Sequence, residues 1–404
     1  MSRLSKSLLL GAIGMATAVA SPASALTFNL IDLGGAGAGS QARMGFDIAT
    51  AYWSSVLKSD AVVNLQIGFT SLGGNILAQA GSNASAAFNS QVYAGLRSTA
   101  TSSVDALALA HLQPLGDTLF NGNQALTVTT NAFNAAGDGY VDTATRLDDN
   151  RSLNNQALYV NNSLVKALGI TSDANGNAVD FTAPDAVVSF STDYKFDFDP
   201  TDGIASDAID FIGVAIHEIG HSLGFISGVD TYDQYTGPGS GETFPGGVED
   251  FGIGTVLDLF RYSAPGKLDW STQDTPYFSI DGGQTQVFGD SRFSTGILNG
   301  DGRQASHWKD LKDPLGLMDP TVAYGQSTSV TALDLVAFDA IGWKLAFDPL
   351  LNPGYKATTA SIYRDYQAGA VPEPAAWGMM IVGFALVGGA LRRRRPVRTV
   401  VRFT

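Results

Sequence analysis

The chain contains no cysteine and only four histidines among its 404 residues. Without cysteine there is no disulfide framework, no thiolate metal ligand and no cysteine nucleophile, and no cysteine can hold a precursor shut. Charged residues are also sparse, at 15%, and unevenly signed. With the two termini described below set aside, residues 26 to 371 keep 16 Lys+Arg against 37 Asp+Glu, a net charge of about −21. A surface of that sign repels nucleic acid, which excludes that class of partner. It favours solubility and says nothing about fold. No internal repeat is present in the stretch from Gln113 to Asp180. What the chain does have is 45% hydrophobic residues, enough for a full core in one large domain or two lobes.

Both ends carry export signals. Arg3 and Lys6 precede the apolar run Leu8 to Ala20 and then Ala23-Ser24-Ala25. That order of charge, apolar run and small-residue site is a secretory signal, so residues 1–25 are expected to be absent from the mature protein. At the other end Val371-Pro372-Glu373-Pro374 leads into the apolar stretch Ala375 to Leu391, followed by Arg392 to Arg395. Seventeen apolar or small residues (375–391) just span a thin bilayer, with the arginines on the cytoplasmic side. With Trp377 after the Pro-Glu-Pro, residues 371–404 resemble the PEP-CTERM sorting tail of Gram-negative bacteria. That resemblance implies a transient inner-membrane anchor cut by an exosortase-type enzyme, and an exported product at the outer surface or in the extracellular matrix. A permanent single-pass anchor is the alternative.

Between the ends, Met44, Ile48, Ala51, Tyr52 and Val56 give Ala42–Leu57 one apolar helical face. Ala61–Phe69 and Ala186–Thr192 predict strands, and Gln91–Leu109 predicts a helix. Residues Gln113 to Asp180 are rich in Asn, Asp, Thr and Gly and predict loops with short strands. Ile209, Ile212, Ala215, Ile216, Ile219 and Leu223 repeat at helical spacing after a start signal at Ser206-Asp207, and Gly224 can stop that helix. A Gly- and Pro-rich loop follows from Gly228 to Gly247. Residues Asp258 to Gly283 predict a small β-rich insertion. Val330–Gly342 predicts a last helix.

The predicted buried helix holds His217-Glu218-Ile219-Gly220-His221. Residues four apart share a helix face, so both imidazoles can reach one Zn²⁺. Glu218, beside the first ligand, can take a proton from water activated by that ion. A chain with four His and four Glu reaches His-Glu-x-x-His by chance only with a probability on the order of a few in ten thousand. Catalytic zinc sites take three protein ligands, and the position six after His221 is Ser227, a poor substitute. The candidates for the third are His307, Glu249 and acids of the insertion such as Asp258. Zinc's preference for imidazole favours His307. Glu249 would instead make a gluzincin, but it sits in a turn.

Ser306-His307-Trp308, then Leu317-Met318-Asp319-Pro320, then the helix from Val330, resembles the leishmanolysin-like branch of the metzincins, in which a long insertion separates the third histidine from His-Glu-x-x-His. The match covers residues 200 to 345. It implies His217, His221 and His307 as zinc ligands, Glu218 as base, Gly224 as the sharp turn and Met318 as the Met-turn beneath the metal.

The resulting expectation is an α+β, metzincin-like zincin with a twisted N-terminal sheet, an active-site helix and a loop-rich C-terminal lobe. Its divisions are residues 26–228 for the N-terminal catalytic lobe, 229–345 for the C-terminal lobe and 346–370 for a linker to the tail. The expected activity is zinc metalloendopeptidase, acting on a protein or peptide laid along a sheet edge at Val187–Thr192. A catalytically inactive zincin-fold surface or matrix protein is the rival reading, against which Glu218 argues. Asp173–Asp180 could bind Ca²⁺, though a plain Asn-Gly turn accounts for the same residues. His111, closing the apolar run from Ala106, is expected to be an ordinary, partly buried histidine.

Overall fold

The computed structural model describes residues 25–74, 76–238 and 243–370. The signal segment through Ser24 and the whole sorting tail, including the expected span 375–391 and Arg392–Arg395, lie outside the described residues. Among the described residues no helix is long and apolar enough to cross a membrane.

The fold is α+β. Its first layer is a four-stranded sheet in the spatial order Thr27–Asp32, Val62–Thr70, Ala186–Ser191, Ala78–Ser82. The first three strands are parallel and the last is antiparallel to its neighbour. The strand expected at the edge is therefore interior, flanked on both sides. Ala186, Val188 and Phe190 are buried on one of its faces, and Val187 and Ser189 are half-buried on the other. The two edges are Thr27–Asp32 and Ala78–Ser82. The second is short and weakly apolar, and its composition carries no strand signal.

A long helix, Gln41–Val56, starts where Ser40 Oγ accepts from Arg43 N. It buries Ala42, Phe46, Ala49, Trp53 and Val56, one face of a 3.6-residue repeat. That face packs on the helix Phe211–Ser222, where the Trp53 indole donates to the Ile216 carbonyl at 3.1 Å. Phe46, Phe190 and Phe211 meet beneath the sheet, with Phe190 and Phe211 ring centroids 4.4 Å apart. Such pairs add roughly 0.5–1.5 kcal/mol each beyond area burial. They fix the motif helix against the sheet.

That helix begins four residues later than Ser206-Asp207 suggests. Ile209-Asp210 first pairs in parallel with Phe196-Asp197, and Asp210 then caps the helix by accepting from Gly213 N at 3.0 Å. The single helix expected over 91–109 is two, Asn89–Thr99 and Ser103–His111. The second starts anew because Ser102 and Asp105 form a reciprocal cap. The expected loop after Gly228 opens with a helix, Val229–Thr236, burying Val229 and Tyr232.

The β-rich insertion pairs far back in sequence. Lys267–Trp270 runs parallel to Val128–Phe133, joining both into a five-stranded sheet. Main-chain pairing thus crosses the boundary drawn at residue 228. Residues 346–370, expected as a linker, carry a strand, Lys356–Thr358, paired with Ser329–Thr331, and a helix, Thr359–Ala370, packed on the long N-terminal helix. The strand is too short, at three residues, to show a period in the sequence.

Candidate metal centre

The helix Phe211–Ser222 turns His217 and His221 toward one point, as residues four apart on a helix must. It stops at Gly224, whose φ of +110° disfavours any side chain. The chain then doubles back so that Phe225 N reaches the Gly220 carbonyl and the Phe225 carbonyl meets His221 Nδ1 at 2.7 Å. Gly220 lies directly over Met318, since a Cβ there would stand 2.8 Å from its sulfur. Met318 is fully buried beneath the motif.

His307 comes from a loop 86 residues beyond His221. The three Nε2 atoms stand 3.0, 3.1 and 3.2 Å from one another. Each Nδ1 faces a carbonyl: Leu317 for His217 at 2.9 Å, Phe225 for His221 at 2.7 Å and Gln304 for His307 at 3.3 Å. A carbonyl only accepts, so each Nδ1 is the donor and each Nε2 keeps a lone pair. Three lone pairs converging at contact distance repel. A cation among them removes that repulsion, and these are the only residues among those described that cluster as a possible metal site.

Burial holds all three histidines neutral. His221 is pushed down to about 3 by desolvation and then by His217, and His217 and His307 move in the same direction for the same first cause. Glu218, one residue from the first histidine, is pushed up to about 8 by desolvation. A cation among the histidines opposes that shift. All four line one cleft of about 600 Å³, walled by the edge strand Ala78–Ser82 on one side and by Leu317 to Val322 on the other.

Sequence reading missed the carboxylates that hold the loop. Asp334, fully buried, accepts from Leu317 N at 2.8 Å, Met318 N at 3.2 Å and the Trp308 indole at 2.8 Å. It fixes both the methionine and the residue after His307. The pattern Thr331-x-x-Asp334 before an apolar run was its available signal. Asp230 accepts from Ala305 N at 2.7 Å and Ser306 N at 3.2 Å, and burial raises it to about 6. Ser306 Oγ in turn accepts from Ser227 N.

The other candidates lie elsewhere. Asp258 accepts from Ser227 Oγ, Gly228 N and Thr255 N, so it ties the turn after the motif helix to the insertion. Glu249 binds Arg146 at 2.7 Å and Asn150 at 2.6 Å. Asp173 closes a turn on Asn175 N and Asn177 N, which is the plain Asn-Gly arrangement. His111, exposed at the end of its helix, faces the Leu107 carbonyl.

Against known protein families, residues 370–395 match the PEP-CTERM protein-sorting motif. The chain therefore carries the recognition signal for exosortase-type processing, which marks it for export and cell-envelope sorting in Gram-negative bacteria. No curated protein and no solved structure matches the chain.

Proposed function

We propose that this chain is an exported zinc metalloendopeptidase of the metzincin type. The observation that carries the reading is the convergence of three Nε2 lone pairs at 3.0–3.2 Å. Tetrahedral ligands with Zn–N bonds of roughly 2.0 to 2.1 Å sit about 3.3 Å apart, so the donor set matches that ion in type, number and spacing. His217, His221 and His307, which all line the cleft, would hold it. Bound zinc supplies Lewis acidity toward a carbonyl and toward water.

The chain's own residues do the rest. The Glu218 carboxylate makes no hydrogen bond among the described residues and lies in the cleft beside His217, where it accepts a proton from water and passes it to the leaving amine. The three carbonyls at Nδ1 fix ring orientation and tautomer. Ala78, Gln79 and Ala80, with Leu77 just before them, border the cleft on a strand whose outer edge has no neighbour among the described residues. An extended peptide adds there by main-chain pairing, which brings its scissile carbonyl to the histidines. This replaces Val187–Thr192 as the substrate edge. Release at the outer surface or into the matrix follows removal of the tail.

Casein digestion by purified protein, with chelator and after Zn²⁺ return, tests the reading. Activity lost and then restored is the expected result. A protein that binds zinc stoichiometrically yet leaves casein and unfolded substrates intact is the inactive surface protein instead.

A further inference from the structure

A second hollow, of about 480 Å³, is built from elements remote in sequence from the histidines: the segment from Lys58 to the start of the strand Val62–Thr70, the end of the helix Asn89–Thr99, the helix Asn162–Ala167 and the turn after Ala340. Its wall holds Lys58, Lys166 and Lys344. Residues 26 to 371 contain only eight lysines and carry a net charge of about −21, so three lysines at one hollow are a local reversal of the molecule's sign.

The arrangement is enforced by the backbone. Leu57-Lys58 pairs antiparallel with Lys344-Leu345, and the register sets Lys344 directly opposite Lys58. Leu57 is fully buried, so alternation puts both lysines on the outer face together. Like charges directly opposite destabilise a strand pair. Lys58 Nζ donates to the Ser55 carbonyl at 2.9 Å, and Lys344 Nζ makes no hydrogen bond or ion pair among the described residues. Lys166, its side chain 5% exposed, binds Asp185 at 2.6 Å and the Val62 carbonyl at 2.9 Å. The remaining acid on the wall is the exposed Asp60, which makes no ion pair with these lysines. Beside the ammonium groups stand two apolar side chains open to solvent, Phe181 and Val62.

From this juxtaposition we propose that the hollow binds a small organic oxyanion with an apolar or aromatic body. Lys58 and Lys344 hold the carboxylate or phosphate end by charge-assisted hydrogen bonds. Phe181 and Val62 carry the body. The bound anion removes the cross-strand repulsion, and the volume suits a molecule of one or two rings.

Calorimetric titration of the purified chain at low salt, with benzoate, phenyl phosphate and neutral benzyl alcohol, tests the proposal. One or both anions should bind with a Kd of about 1 mM or tighter, and benzyl alcohol should bind far more weakly. The stronger of the two anions identifies carboxylate or phosphate as the cognate group. Lys58→Gln and Lys344→Gln, both at solvent-facing positions, should each weaken binding roughly tenfold without lowering Tm. Phe181→Ala should weaken both anions alike. No binding by either anion up to 10-fold above that Kd, equal binding of benzyl alcohol, or wild-type affinity in both lysine variants overturns it.

Discussion

His217 and His221 stand on one helix, and their convergence is a consequence of helical pitch alone. His307 arrives on a loop between Ser294 and Met318, with no regular structure at the histidine itself, and its position is set by groups far away in sequence. The Asp230 carboxylate holds the two residues before it, the Asp334 carboxylate holds the indole after it, and Ser294 N binds its carbonyl. The first region is local and self-specifying. The second depends on buried charge, in which each carboxylate must keep its donors to remain stable.

The largest expected effect breaks the second region at its centre. His307→Ala should lose stoichiometric zinc and peptidase activity together, while Glu249→Ala and Asp258→Ala keep the metal. Metal analysis of the three purified proteins decides it, and full zinc in His307→Ala contradicts the assignment. Next is Glu218→Gln, which should leave fold and zinc intact but lower kcat on the order of 10²- to 10⁴-fold. Unchanged casein turnover in the metal-loaded variant would remove Glu218 from the mechanism.

Asp334→Asn tests the loop without touching a ligand. It should lower stability by about 2–4 kcal/mol and weaken zinc roughly 10- to 100-fold, because Leu317 N, Met318 N and the Trp308 indole lose their charged acceptor. Denaturant melts with competitive chelation measure both. A variant that loses stability but keeps wild-type zinc affinity shows that the loop's position does not depend on this carboxylate.

How much of this could be read in advance divides along the same line. The motif helix, its stop at Gly224 and both of its histidines follow from a five-residue pattern and a 3.6-residue repeat. Met318 and His307 were reached through a resemblance, and the buried contact of Met318 with Gly220 is the physical content behind it. Asp230 was not found, because an isolated aspartate carries no spacing signal until the donors around it are known. Asp334 had its capping pattern with Thr331, but that pattern announces a helix start and not the distant donors at Trp308, Leu317 and Met318. The sheet edge was misassigned since the apolar run in Ala186–Ser191 reads more strongly as a strand than the short Ala78–Ser82, which holds no large apolar residue. The pairing of Lys267–Trp270 with Val128–Phe133 spans more than a hundred residues, and no local pattern encodes it.

A smaller effect concerns Asp339, buried on the helix Ala332–Ala340 and pushed up to about 8 by desolvation and then by Asp105. Its folded value lies above the unfolded value of about 3.9. The folded state therefore holds a proton that the unfolded state releases. Stability from this group is full below about pH 4 and declines as pH rises toward 8. Asp339→Asn should remove that decline and raise Tm at pH 8 by about a few degrees relative to wild type, with the difference shrinking toward pH 4. Thermal melts across that range check the sign. The tail gives the last prediction: intact-mass analysis of protein released by the native host should find Arg392 to Thr404 missing, and finding the arginine cluster in released material points to a permanent anchor.

The most direct test of the central claim, that one helix and one distant loop build a single zinc site, is anomalous diffraction at the zinc edge from crystals of the purified chain. The account predicts one peak per chain within roughly 2.0–2.1 Å of Nε2 of His217, His221 and His307. No peak after zinc loading, or a peak that leaves His307 unbound, contradicts it.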